Sequence, residues 1–280
     1  MQGGRTTRPG PSRRRAEVSF ATIGDVELFF SDDNAGDPPM LFVHGYTCDS
    51  HDWSWQLPHF GATHRTIAVD LRGHGRSSAP EAGYTPVQFA ADIAGLLRTL
   101  DCGPVVVMGH SLGGLVVSVL AVEHPDLVRA LIAVDPGYLV ADEVAGGIAP
   151  FVEQMDSSDP VPLVQAILGG AYAPASPPFL RTWHLRRIAG VPHHVLRQTL
   201  AHMADGGEAS SLRSSSELYL RRRTCPVLSF YTDQSRVPVE EALFADGRSR
   251  SISWPGSGHW LHQERPAEFN AVVDGWLAGL

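Results

Sequence analysis

The chain has 280 residues, 43% of them hydrophobic and 19% charged, with 22 basic against 30 acidic residues and a formal net charge of −8. That is enough apolar material for a large core in one domain, or two at most. Five arginines fall in the first 15 residues, which leaves a body near −13, and so acidic a body excludes nucleic acid or an anionic membrane surface as a partner.

The stretch Met1–Arg15 is rich in Gly, Pro and Arg and lacks the apolar segment of a signal peptide, so residues 1–16 are expected to form a disordered tail. Val18–Ile23 and Val26–Phe30 flank Gly24-Asp25 and predict a β-hairpin. Met40–Val43 is an apolar run leading into His44-Gly45-Tyr46, and Thr66–Val69 is another, ending at Asp70. Val87–Leu100 sets Phe89, Ile93, Leu96, Leu97 and Leu100 at helical spacing. Pro104–Met108 reads as a strand, Leu112–Val122 as a helix, and Leu131–Val134 as a strand ending at Asp135. Strands Pro226–Tyr231 and Ser249–Trp254 follow, and Pro266–Leu280 is a closing amphipathic helix. Crossovers of this length imply the α/β class, a mostly parallel sheet with helices on both faces.

Between Asp135 and Cys225 the texture changes to Pro pairs, Ala/Gly runs and scattered aromatics, with short helices such as Val161–Leu168 and Pro192–Met203. Residues 136–224 are therefore expected to be a helical lid inserted into a core made of residues 17–135 and 225–280. No run reaches the roughly 18 apolar residues of a membrane span. Cys48, Cys102 and Cys225 are odd in number and show no CxxC pairing, which fits reduced thiols and a cytoplasmic location.

One motif carries chemistry. Val105–Val107 runs into Gly109-His110-Ser111-Leu112-Gly113, and a helical pattern follows at once. Gly-x-Ser-x-Gly between strand and helix is the setting of a nucleophile elbow. Glycines two positions either side of Ser111 leave room where a Cβ would strike strand or helix. A serine needs a base, itself oriented by a third group. His259, in Pro255-Gly256-Ser257-Gly258-His259 beyond the last strand, is the expected base, with His262 the weaker candidate. No metal or organic cofactor is needed for this chemistry, and the pair His193-His194 is weak evidence for a metal.

Together, His44-Gly45, the run Asp70-Leu71-Arg72-Gly73-His74-Gly75-Arg76-Ser77, the Ser111 elbow and Gly258-His259 resemble the α/β-hydrolase superfamily in order and spacing, over residues 17–280. The resemblance, of serine esterase and lactonase type, implies an eight-stranded sheet and an oxyanion hole made by the backbone N–H groups of Tyr46 and Leu112. It also makes Asp70 part of a structural turn. In most of the family the acid follows the strand after the lid, in a Gly-x-x-Asp-x-x-Val-Pro setting. Here the segment reads Tyr231-Thr232-Asp233-Gln234-Ser235-Arg236-Val237-Pro238, and the acid's position holds Gln234. Asp135, 24 residues beyond Ser111, is the better candidate, and Asp233 the alternative. Acid placement at Asp135 is similar to that of zearalenone-type lactonases and haloalkane dehalogenases.

The function expected is hydrolysis of a carboxylic ester or lactone through an acyl-enzyme, with a small-molecule ester or lactone as substrate and no nucleic acid or membrane as partner. Trp53, Tyr138, Phe179 and Trp183 are expected to line an apolar pocket for a bulky or aromatic substrate. The alternatives are a C–C bond hydrolase on the same triad and a non-hydrolytic ligand-binding protein of the same fold.

Overall fold

In the computed structural model, residues 17–33, 36–205, 207 and 209–280 are described. The tail expected over residues 1–16 lies outside the described residues. The sheet is built from β1 (Glu17–Ile23), β2 (Val26–Asp33), β3 (Met40–Val43), β4 (Thr66–Val69), β5 (Val105–His110), β6 (Val128–Val134), β7 (Val227–Tyr231) and β8 (Arg250–Ser253). Its strand order is β1-β2-β4-β3-β5-β6-β7-β8. The pairs β1/β2 and β2/β4 are antiparallel, and every other pair is parallel.

The apolar runs explain the layering. Strands β3, β4, β5 and β7 are buried at every position, as parallel strands covered on both faces must be. Side chains alternate between faces, so Leu41, Val43, Ile67, Val69, Val105 and Val107 enter one apolar cluster. Met40, Phe42, Ala68, Val106 and Met108 enter the other.

The helices are α1 (Leu57–Phe60), α2 (Pro86–Leu100), α3 (Leu112–Glu123), α4 (Asp142–Gly146), α5 (Ala149–Gln154), α6 (Pro160–Gly169), α7 (Pro178–Ile188), α8 (His193–Ala204), α9 (Arg213–Leu220), α10 (Val237–Glu241), α11 (Leu261–Glu264) and α12 (Pro266–Leu277). Helices α2 and α3 cover the first face. Phe60 of α1, Leu261 of α11 and Phe269, Val273 and Trp276 of α12 cover the second. Between β6 and β7 the chain runs through α4 to α9, and Val164, Ile188, Val195 and Leu196 tie these helices to the first cluster. Among the described residues, no helix is long and apolar enough to cross a membrane.

Parallel pairing gathers the carboxyl ends of β3, β5, β6, β7 and β8 at one edge, where ligands bind in open α/β sheets. Register aligns them closely. Gly109 pairs with Ala133 and His110 with Val134, so Ser111 and Asp135 leave the sheet side by side. Ser111 N donates to Val134 O at 3.0 Å, and Asp135 N donates to Phe230 O at 2.8 Å.

Candidate active site

Ser111 sits between β5 and α3 with φ +52° and ψ −118°, a left-handed conformation that a serine adopts only under constraint. The constraint is backbone packing. A Cβ on Gly109 would come 2.2 Å from Gly113 O, and one on Gly113 would come 2.2 Å from Val43 O. Gly45 lies against the serine itself, because a Cβ there would meet Ser111 Cβ at 3.1 Å. Leu112 opens α3, so its N–H points out of the helix start without an intrahelical partner. Neither Tyr46 N nor Leu112 N donates to an acceptor among the described residues. The loop that carries Tyr46 is pinned by His44, whose Nδ1–H donates to Gly45 O at 2.8 Å while Nε2 accepts from Leu71 N at 2.9 Å.

Asp135 follows β6 with φ +39° and a buried side chain. Its Oδ2 accepts from His259 Nδ1 at 2.6 Å. Burial pushes the Asp135 carboxyl up, but the His259 hydrogen bond and charge, with Arg236 and the Thr232 N–H, bring it below its ordinary value. Asp233 does not reach His259. It is exposed and accepts from Ser235 N at 2.9 Å, capping a short 3-10 turn.

His259 is held at its backbone as well as its ring. Its N–H donates to Ala171 O at 2.8 Å, and its carbonyl accepts from His110 Nε2–H at 3.0 Å. The His110 and His259 rings lie 4.6 Å apart. No hydrogen bond joins Ser111 Oγ to His259 among the described residues; the histidine before the serine makes the link. Contacts between nucleophile and base are often loose in unliganded sites and tighten with substrate. His262 is fully buried among Trp53, His110 and Phe269, and burial pushes it down to about 3. Asp70 accepts from Ser50 N at 2.7 Å and Arg76 N at 2.9 Å, a turn-holding role.

The pocket residues expected from sequence are not gathered around His259. Trp53 faces the core and not an open pocket. Its side chain is fully buried under the sheet, 5.5 Å from the Phe42 ring and 4.6 Å from that of His262. The 3-10 turn Ser50–Trp53 aims it inward, a direction that spacing in a loop does not reveal. Tyr138 is likewise corrected, being fully buried with its hydroxyl on Glu240 Oε1 at 2.8 Å in an internal network with Arg223. Phe179 and Trp183 are exposed on α7, packed on each other 5.0 Å apart. Trp183 lines a surface cavity of about 330 Å³ with His51, Arg76 and Arg186, away from His259.

A cavity of about 380 Å³ does reach the Asp135–His259 pair, walled by Leu168, Tyr172, Thr232 and Ser257. Sequence reading named none of these four as site residues. Thr232 follows β7, where an acid is expected, but Leu168 lies at the end of α6 and Tyr172 in the loop beyond it, and neither carries a signal short of the fold.

The fold is that of an α/β hydrolase. The chain belongs to the alpha/beta hydrolase family, whose model matches residues 40–272. It is 32% identical over 251 residues to 2-(acetamidomethylene)succinate hydrolase of Mesorhizobium japonicum, covering 87% of this chain and 89% of the relative. Epoxide hydrolase A of Mycobacterium tuberculosis is 26% identical, over 96% of this chain and 98% of that protein. The solved structure of a thermophilic esterase from Thermogutta terrifontis superposes with a TM-score of 0.78 at 23% identity, over 95% of this chain and 99% of that one, a likeness of fold.

Proposed function

We propose that this hydrolase is a serine hydrolase that cleaves a carboxylic ester or lactone of a bulky apolar or aromatic substrate. The observation that carries the reading is the 2.6 Å contact of His259 Nδ1 with Asp135, beside a serine held at φ +52°. His259 takes the proton of Ser111, whose oxygen attacks the carbonyl. The oxyanion is met by the N–H groups of Tyr46 and Leu112. His259 then protonates the departing alkoxide, and an acyl-serine ester remains. Water, deprotonated by His259, hydrolyses that ester and returns Ser111. Asp135 stays ionised throughout and stabilises the imidazolium. In a lactone the alkoxide stays tethered to the acyl group until water opens the ester.

In this reading residues 136–224 are a lid over a core of residues 17–135 and 225–280. Two contacts support it. Tyr46 Oη donates to Leu196 O at 2.7 Å, and His259 N donates to Ala171 O at 2.8 Å, so the helices between β6 and β7 touch both the oxyanion loop and the base. Epoxide hydrolysis by nucleophilic attack is a poorer fit. It needs a carboxylate, whose ester intermediate water can cleave, whereas Ser111 would leave a stable ether. One observation favours a second substrate: the relative at 32% identity acts on 2-(acetamidomethylene)succinate.

The test is a panel of p-nitrophenyl esters of graded acyl length, aryl esters, lactones and 2-(acetamidomethylene)succinate, run on the wild type and on Ser111→Ala. We expect turnover of the apolar esters or lactones that vanishes in Ser111→Ala. Turnover of 2-(acetamidomethylene)succinate alone would transfer the assignment to the second substrate. Turnover that survives in Ser111→Ala would remove the serine mechanism.

A further inference from the structure

The acid is not held by its own strand alone. Asp135 leaves β6 in a left-handed conformation with φ +39°, so its backbone does not fix where the carboxylate points. Two residues of the segment after β7 meet it. Thr232 N donates to Oδ1 at 3.1 Å, and Thr232 Oγ1 lies 3.1 Å from both Oδ1 and Oδ2. Arg236 comes from the 3-10 turn Gln234–Arg236, and its Nη1 lies 4.0 Å from Oδ1. The same guanidinium donates through Nη2 to Pro136 O at 2.5 Å and to Tyr138 O, which ties down the two residues' carbonyls just past the acid. It also lies over the Tyr231 ring, 4.4 Å from its centre. Oδ2 is the oxygen given to His259; the Thr232 N–H and Arg236 face Oδ1, and the Thr232 hydroxyl bridges the two oxygens.

We propose that Thr232 and Arg236 are positioning residues for the triad acid. Thr232 sets the rotation of the Asp135 carboxylate, and Arg236 clamps the strained turn that carries it. The proposal rests on the serine-hydrolase reading for its kinetic consequence and on geometry alone for its structural one. A carboxylate turned away from His259 Nδ1 lets the imidazole rotate or change tautomer, and the lone pair that must accept the Ser111 proton is lost. Through Asp135, Thr232 therefore acts on turnover, and a variant that keeps its shape in the cavity wall separates this from substrate binding. The charged and titratable groups facing the carboxyl are His259 and Arg236. Losing either the Thr232 hydroxyl or the Arg236 charge removes stabilisation of the ionised form, and the carboxyl then protonates at higher pH.

Two readouts test this on the full chain. The first is kinetic, with a substrate identified in the ester and lactone panel. Thr232→Val keeps the side chain's shape and the backbone donor but deletes the hydroxyl. It is expected to lower kcat about tenfold with KM within about twofold, the size of one lost hydrogen bond to a charged group. Thr232→Ser is expected to recover most of that loss. The second needs no substrate: titration of the ¹³C-labelled Asp135 carboxyl by NMR, assigned with Asp135→Asn. Thr232→Val and Arg236→Gln are each expected to move its midpoint to higher pH. Failure of the serine-hydrolase reading would leave the wild type inactive on esters, and the titration would still decide the positioning claim. An unchanged midpoint in both variants, or a Thr232→Ser enzyme as slow as Thr232→Val, would overturn the proposal.

Discussion

At the scale of residues, the site depends on where two strands end. Ser111 and Asp135 emerge next to each other because His110 pairs with Val134 in register. His259 arrives from beyond β8 and is fixed at N–H, carbonyl and ring by Ala171, His110 and Asp135. Ser111 and His259 were legible as candidates because each sits in a glycine-marked motif. Of the two candidate acids, Asp135 is the one that touches His259, while Gln234 fills the position expected for the usual acid. Thr232 and Arg236 were not legible as partners of Asp135, because their contact depends on the β6–β7 register and not on any local pattern. Asp135→Asn should lower kcat by about 10⁴, the scale of a triad acid, with the fold intact by circular dichroism. Asp233→Asn, which removes only a cap on Ser235 N, should stay within a few-fold of wild type.

At the scale of elements, buried strands announce themselves as short apolar runs, and their bounds match within a residue or two except in β6 and β2, which differ by three. β6 starts at Val128 and not at Leu131, because exposed Arg129 interrupts its run. β2 continues past Phe30 through polar Ser31-Asp32-Asp33, which pair with β4. Helix α7 was missed. It buries only Leu180, His184 and Ile188, a stripe one residue wide with a histidine in the middle, while arginines fill much of the rest. The same helix anchors the segment that follows β3. Arg187 pairs with Asp49 at 3.0 Å and with buried Asp52. Burial would raise the Asp52 carboxyl, but Arg187, with His184, holds it well below its ordinary value. Arg187→Met strands that anion in the interior, and chemical denaturation should show a loss of about 3–5 kcal/mol. Pairing it with Asp52→Asn should return part of the loss, since no charge is then left uncompensated.

At the scale of the whole molecule, the interior is rich in histidines that burial keeps neutral. His74 and His262 are pushed down to about 3, His184 to about 4, and His110 well below its ordinary value, burial being the largest cause in each. In the unfolded chain these four take up protons near pH 6.5, while in the folded chain they stay neutral until far lower pH. Unfolding therefore binds protons between those limits, and stability falls as pH falls. Each group contributes up to about 1.4 kcal/mol per pH unit in that window. Asp135 acts in the same direction lower down: its depressed carboxyl favours the fold above the ordinary carboxylate range and loses that effect as it protonates. Melting temperature should be nearly flat from pH 8 to 7 and drop steeply from about pH 6.5 toward 5. Calorimetry near pH 5.5 should register net proton uptake on unfolding. A melting temperature indifferent to pH across this range would mean that these histidines are not held neutral inside.

The central claim is that Ser111 is a nucleophile activated by His259. It is tested most directly by treating the folded protein with a fluorophosphonate and mapping the adduct by peptide mass spectrometry. We expect a single stoichiometric adduct on Ser111, absent in Ser111→Ala and formed at least a hundredfold more slowly in His259→Ala, about the contribution of a general base. No adduct on Ser111 in folded wild-type protein, or an adduct that forms as fast without His259, would contradict the account.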